Sequence, residues 1–241
     1  MLITERIASI AQGAGDRDSL WISLLTQLEC RDVCEIGVLR GEFSEILLEG
    51  CPQIETYTMI DPWRNLDNWN KPTNKSDEIF EEKLQLTLQR TEKFAAKRRI
   101  LRDPTKTAAR EIEDETLDAV YIDGDHTLRG ITLDLHAILP KVRHGGIIGG
   151  DDMSPNIWQH GPKFSPTMVF PYILYFAEAH DLPILTLPFD QFCIVNRPEI
   201  GHQVIDMAGY TALTPQQVYI LDPEAPPYRR PKNARVPPEK S

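Results

Sequence analysis

The stretch Leu117–Asp152 constrains the fold more than any other part of the sequence. Leu117–Ile122 is a short run rich in apolar residues that stops at Asp123-Gly124-Asp125-His126. Thr127–Leu139 carries apolar residues at Leu128, Ile131, Leu135, Ile138 and Leu139, which fall roughly on one helical face. Pro140 disfavours helical geometry at the residue before it, and Gly145-Gly146 supplies a turn. Ile147–Gly150 then starts a second short strand that stops at Asp151-Asp152. Strand, helix and strand over this length imply a right-handed crossover between parallel strands. Both acidic clusters then sit at carboxyl ends of strands, where open α/β sheets hold their ligands. If the two strands are neighbours, Asp123, Asp151 and Asp152 converge on one point. Three carboxylates there repel one another unless a cation or protons compensate. A divalent-metal site on an α/β sheet is the first expectation.

The flanking sequence extends the sheet on both sides. Asp16 or Asp18 can cap a helix with Leu20, Trp21, Leu24, Leu25 and Leu28 on one face. Such a helix covers a sheet edge or builds a lid. Asp32–Val38 reads as a strand, followed by Leu39-Arg40-Gly41 and a helix over Glu42–Glu49. The resulting Glu35-x-Gly37-x-x-x-Gly41 lets backbone approach a ligand closely, but it lacks the dinucleotide G-x-G-x-x-G spacing. Glu55–Ile60 is a second strand ending in Asp61-Pro62-Trp63, and Asp61 lies 20 residues past Gly41. That is where a ribose hydroxyl pair is usually gripped, although Asp before Pro also starts turns readily. Trp63 either stacks near the ligand or plugs the sheet edge. Arg64–Asn74 is a polar loop, Lys75–Lys97 a long charged helix, and Arg98–Arg102 a third strand. Asp103 and Thr105 at its end serve a ligand or cap the next helix. Beyond the central unit come a loop with Trp158 and His160, an apolar helix over Thr167–His180, and a hairpin of Pro183–Leu187 with Gln191–Val195. The fold class expected is a single Rossmann-like, doubly wound α/β sheet, mostly parallel, with an antiparallel C-terminal hairpin strand.

Composition narrows the function classes. At 241 residues and 41% hydrophobic, the chain can bury a sizeable core as one domain. A formal net charge of -10, with no aromatic-interleaved basic stripe, argues against a nucleic-acid partner. Cys30, Cys34, Cys51 and Cys193 show no metal-binding spacing and read as buried free thiols. No secretory h-region opens the sequence and no apolar run approaches the roughly 18 residues of a membrane span, so a soluble, cytoplasmic protein is expected. The expected organisation is an N-terminal helical segment over 1–31, a core over 32–197 and a Pro-rich extension over 198–241. Within the extension, Asp222–Ser241 reads as a tail or as an arm exchanged in a homo-oligomer.

The stretches CEIGVLRGEFS, TMIDPW, LDAVYIDGDH and GGIIGGDD together resemble the class I S-adenosylmethionine-dependent methyltransferases. Within that superfamily the chain is similar to the metal-dependent O-methyltransferases that modify sugars of macrolides and aminocoumarins, and more distantly to catechol O-methyltransferases. The resemblance covers about Asp32 to Arg197. It implies that Glu35, Gly37 and Gly41 line the methionine half of S-adenosylmethionine, and that Asp61 holds its ribose. Ser44, Trp63, Asp103 and Asp123 complete the implied cofactor set. Asp123, Asp151 and Asp152 match three acidic ligands of Mg²⁺ or Mn²⁺, with Asp at the last position where catechol-type relatives have Asn. The general base of sugar-modifying relatives falls on either Asp125 or His126, and the resemblance does not choose. A His is matched to proton removal near neutral pH, so His126 is favoured as base with Asp125 orienting it. His160 is a second-tier substrate contact. The expected acceptor is a sugar-like small molecule shaped by the loops Arg64–Asn74 and Ser154–Ser165. Two rivals stand beside this reading. One is a metal-independent methyltransferase acting on nitrogen or a carboxylate; the other is a cofactor-binding module without catalysis.

Overall fold

A computed structural model describes residues 1–210. The Pro-rich arm expected over Asp222–Ser241 lies outside the described residues. Two helices, α1 (Ile3–Gln12) and α2 (Arg17–Gln27), precede strand β1 (Asp32–Ile36). Asp16 caps α2, its carboxylate accepting from the Ser19 N–H at 2.7 Å, as the sequence predicts. Then follow α3 (Glu42–Gly50), β2 (Thr56–Ile60), α4 (Asp77–Arg90), β3 (Arg98–Leu101) and the short α5 (Thr105–Ala108). The central unit comprises β4 (Leu117–Ile122), α6 (Leu128–Ile138) and β5 (Val142–Gly150). The chain continues through α7 (Val169–Ala179), β6 (Pro183–Leu187), β7 (Gln191–Val195) and β8 (Gln203–Asp206).

The strands form one sheet in the order β3-β2-β1-β4-β5-β7-β6-β8. Only β7 runs against its neighbours, which gives the mostly parallel sheet with an antiparallel C-terminal strand that the sequence predicts. Two details differ from expectation. Gly145-Gly146 is not a turn before β5 but an irregularity inside it, where the register to β4 jumps between Leu117↔Val142 and Ala119↔Ile147. The segment after Arg197 supplies an eighth strand, β8, parallel to β6.

Buried side chains cover both faces, as a doubly wound sheet requires. One face packs β1, β2 and β4 residues against α1, α2 and α3; the other packs against α6 and α7. Trp21 of α2 sits in a notch at Gly149, where an added Cβ would lie 2.1 Å from the indole. The four cysteines are free and buried. Among the described residues no helix is long and apolar enough to cross a membrane.

Candidate active site at the carboxyl edge of the sheet

Register decides what meets at the edge. Ile60, Ile36, Ile122 and Gly150 lie level across β2, β1, β4 and β5. The next residues, Asp61, Gly37, Asp123 and Asp151, therefore stand side by side. The ladder runs one step past the strands: the N–H groups of Gly37, Asp123 and Asp151 donate to the carbonyls of Ile60, Ile36 and Ile122 at 2.8, 2.7 and 3.0 Å. Gly37 allows this approach. Its φ is +88° and an added Cβ would lie 2.1 Å from the Asp123 carbonyl oxygen.

The glycine loop is gripped from below. Asp61 is buried, and its two oxygens accept from the N–H groups of Leu39 at 3.0 Å and Trp63 at 2.8 Å. Leu39, at φ 55°, and Trp63, at φ 39°, hold left-handed backbone that non-glycine residues adopt at a cost of about 1 kcal/mol or more each. Gly41, at φ 71°, is the N-cap of α3. The Trp63 indole is wholly buried and donates to the Leu39 carbonyl at 2.8 Å. Glu35 is likewise buried, accepting from Ser44 Oγ and, at 2.7 Å, from the Tyr57 hydroxyl. Burial pushes the Glu35 carboxyl up to about 7 against the pull of those two donors. Glu35, Ser44 and Trp63 thus sit behind the edge and hold its shape, while Asp103 is half-buried one strand beyond Asp61, after β3.

The acidic residues arrange themselves around an imidazole. His126 is buried; its Nδ1 is bonded to Asp152 Oδ2, and Asp123 Oδ1 lies 3.6 Å from its Nε2. Nε2 itself is buried without a hydrogen-bond partner among the described residues. Burial alone would lower the His126 pKa, but the bond to Asp152 and the charges of Asp152, Asp123 and Asp151 raise it. Burial, with repulsion from Asp151 and Asp152, pushes Asp123 up to about 7 against the pull of His126. Asp152 holds left-handed backbone at φ 61°, and it rather than Asp125 orients His126. The expected Asp125 contact is replaced: Asp125 Oδ1 accepts from Trp69 Nε1 at 2.9 Å and from the Thr127 N–H at 3.0 Å.

Asp151 faces a different set of partners. Its Oδ1 accepts from Gln191 Nε2 at 2.7 Å and the Asp152 N–H at 2.8 Å, and its Oδ2 accepts from Arg17 Nη1 at 3.2 Å. Asp123, Asp151 and Asp152 are therefore close enough to repel but are not gathered as the metal-ligand set expected from sequence. Among the described residues no group of three or more His, Cys, Asp or Glu side chains is arranged to hold a metal ion. Arg17 and Gln191 were not singled out from sequence, because a helix-opening Arg and a strand-opening Gln carry no local signal of their tertiary partner.

Two loops roof this cluster. The Ser165 N–H donates to the Asn70 carbonyl at 3.0 Å, and Asn70 Nδ2 donates to the Lys163 carbonyl at 2.9 Å. Buried Lys71 donates to Thr167 Oγ1 at 3.0 Å, and its charge reaches Asp125 and Asp152. Exposed His160 feels Lys71, Asp152 and His126. The Met168 N–H closes onto the His126 carbonyl at 2.8 Å. The roof brings the Trp69 indole, the Lys71 amine and the His160 imidazole to the acidic edge.

Glycine loop, strand-end carboxylates and a buried His thus meet at one edge of the sheet. Residues 34–153 match the family described as a methyltransferase domain. This stretch is a methyltransferase domain. It runs from Cys34, within β1, to Met153, just past the acidic pair after β5. No curated protein matches the chain. Among solved structures the chain is similar to a Staphylococcus aureus protein provisionally assigned as a caffeoyl-CoA O-methyltransferase. That likeness has 16% identity and a TM-score of 0.57 over 81% of this chain and 92% of the other. The SAH-bound methyltransferase PaMTH1 of Podospora anserina aligns with TM-score 0.53 and 16% identity, over 80% and 86% of the two chains. Cofactor-bound Rv0187 from MTB aligns with TM-score 0.51 and 16% identity, over 80% and 89%. At that identity the likeness establishes the fold.

Proposed function

We propose that the methyltransferase uses S-adenosylmethionine to methylate a hydroxyl of a sugar or glycosylated small molecule, with His126 as general base. The cofactor supplies a methyl carbon already activated by its sulfonium. The chain's own residues fit it. Gly37 lets the loop close against the Asp123 backbone with no side chain in the way, and Asp61 beside it gives two of a carboxylate's roughly four lone-pair positions to the Leu39 and Trp63 N–H groups. Those remaining positions suit a ribose diol.

One observation carries the choice of base: the buried His126 Nε2 makes no hydrogen bond among the described residues, with Asp123 Oδ1 3.6 Å away, while Nδ1 is held by Asp152. A neutral imidazole fixed through Nδ1 presents Nε2 as an acceptor for an acceptor-hydroxyl proton. The bound cofactor would give up its methyl group to that oxygen and keep the carbon–sulfur electron pair on sulfur. The hydroxyl proton goes to His126, and Asp152 stabilises the imidazolium that results. Asp125, Lys71, Trp69 and His160 offer polar groups to a polyhydroxylated acceptor on the roof side. His126→Gln is expected to abolish transfer while leaving binding of S-adenosylhomocysteine, read by calorimetry, within about threefold. Retained turnover would remove His126 as base; absence of nucleoside binding by the unmodified protein would remove the whole reading.

Assistance by Mg²⁺ or Mn²⁺ is a second reading, favoured by the raised pKa of Asp123 beside two further carboxylates. The arrangement described does not fit a cation, because Arg17 holds Asp151 and His126 holds Asp152. Only with Arg17 withdrawn from Asp151 and His126 from Asp152 would Asp123, Asp151 and Asp152 be the residues to hold it, and a divalent ion there would lower the pKa of a hydroxyl bound to it. Turnover surviving exhaustive EDTA treatment leaves proton removal to His126 alone. Turnover lost to EDTA and restored by Mg²⁺ establishes the second reading.

A further inference from the structure

At Asp151 the misfit with a metal ion has a specific cause. Asp151 Oδ1 accepts from both Gln191 and the Asp152 N–H, which leaves Oδ2, and Arg17 takes it. The guanidinium is itself seated. Its carbon lies 4.7 Å over the Phe43 ring, and Nε bonds Asp18 at 3.2 Å. The second tie to α2 is indirect. Gln191 Oε1 accepts from Trp21 Nε1 at 2.8 Å and from the Tyr121 hydroxyl at 3.1 Å, so the carboxamide that fixes Asp151 is itself fixed by α2. Trp21 in turn sits against Gly149, on the strand that delivers Asp151.

We infer that Arg17 is the built-in counter-ion of Asp151, holding the charge position that a divalent cation would otherwise take, so that cation binding requires α2 to release Asp151. A positive charge already paired to the one available oxygen competes directly with any ion that needs it, and a cation brought beside the guanidinium meets like-charge repulsion. The inference assumes the acidic cluster of the second reading above, but it does not depend on turnover.

Binding of Mn²⁺ to the full chain, free of nucleoside and acceptor, is read from loss of the free-ion signal in electron paramagnetic resonance. Arg17→Met removes the charge and keeps the bulk, and it is expected to bind Mn²⁺ at least tenfold more tightly than the unmodified protein. In Arg17→Met/Asp151→Asn that gain is expected to vanish. An unchanged or weaker affinity in the folded Arg17→Met protein overturns the inference, as does a gain that persists in the double variant. Should Arg17→Met fail to fold, Arg17→Lys asks the same question. Its ammonium cannot reproduce the guanidinium fork, so a gain of about threefold is expected, and an affinity equal to that of the unmodified protein overturns the inference. Methylation is not read in any arm. A protein that transfers no methyl still reports on Arg17, and a failure here leaves His126 untouched.

Discussion

His126 and Glu35 show how burial and partners set ionisation at single residues. The pKa of His126 is raised above its ordinary 6.5 because Asp152, Asp123 and Asp151 outweigh desolvation. A base must be neutral, so kcat/KM is expected to rise with pH as His126 loses its proton, with the limb above pH 6.5. Asp152→Asn removes the largest raising influence and is expected to move that limb to lower pH while reducing the rate. A limb that stays in place would assign it to another group. Glu35 titrates with the opposite consequence for stability. Its folded pKa of about 7 lies above the ordinary 4.5, so its contribution is full below pH 4.5 and is lost as pH rises through 7. Glu35→Gln, which can still accept from Ser44 and Tyr57, is expected to match the unmodified protein at pH 4.5. At pH 8 it is expected to exceed it by about 3 kcal/mol in urea denaturation. His126 stands out in sequence because imidazole chemistry is matched to proton removal near neutral pH. Its partner does not. Asp125 is adjacent in sequence but turned to Trp69, whereas Asp152 arrives from another strand through a left-handed backbone turn.

At the scale of elements, strand ends position the chemistry and glycines let them close. Gly37 and Asp123 belong to neighbouring strands, and their backbones meet where a side chain would stand. Gly37→Ala therefore forces backbone from backbone at a residue with φ +88°, with no flexible side chain to yield. A loss of about 3 kcal/mol in denaturant unfolding is expected, together with weaker nucleoside binding. An unchanged midpoint would show that the loop can slide without cost. Strand ends were readable because each apolar run stops at an acidic residue: Asp61, Asp123 and Asp151. The irregularity in β5 was not, since Gly-Gly reads equally as a turn or as a break in register. Nor was β8. Gln203–Asp206 is only part-buried or exposed and shows no run of buried apolar residues; it is a strand because β6 offers it an edge.

For the whole molecule, the question is whether the first 31 residues are an appendage or part of the core. Ile7, Leu20, Trp21, Leu24 and Leu25 are at most 1% exposed and share one buried cluster with Val33, Leu47, Tyr57 and Tyr121. Withdrawing five such side chains uncovers apolar surface worth about 8 to 15 kcal/mol, comparable to the entire stability of a domain. The same excision removes Arg17 and Trp21, stripping Asp151 of its cation and Gln191 of one donor. A chain beginning at Asp32 is thus expected to keep helical far-ultraviolet dichroism but lose its near-ultraviolet signal and any cooperative thermal transition. Trp21→Ala in the full chain is expected to cost about 3 to 5 kcal/mol by opening a cavity over Gly149, yet to unfold cooperatively. If the shortened chain instead melts in one sharp step, the face of β1, β2 and β4 under α1 and α2 must be stable without them, and these two helices would be a cover rather than a layer of the core.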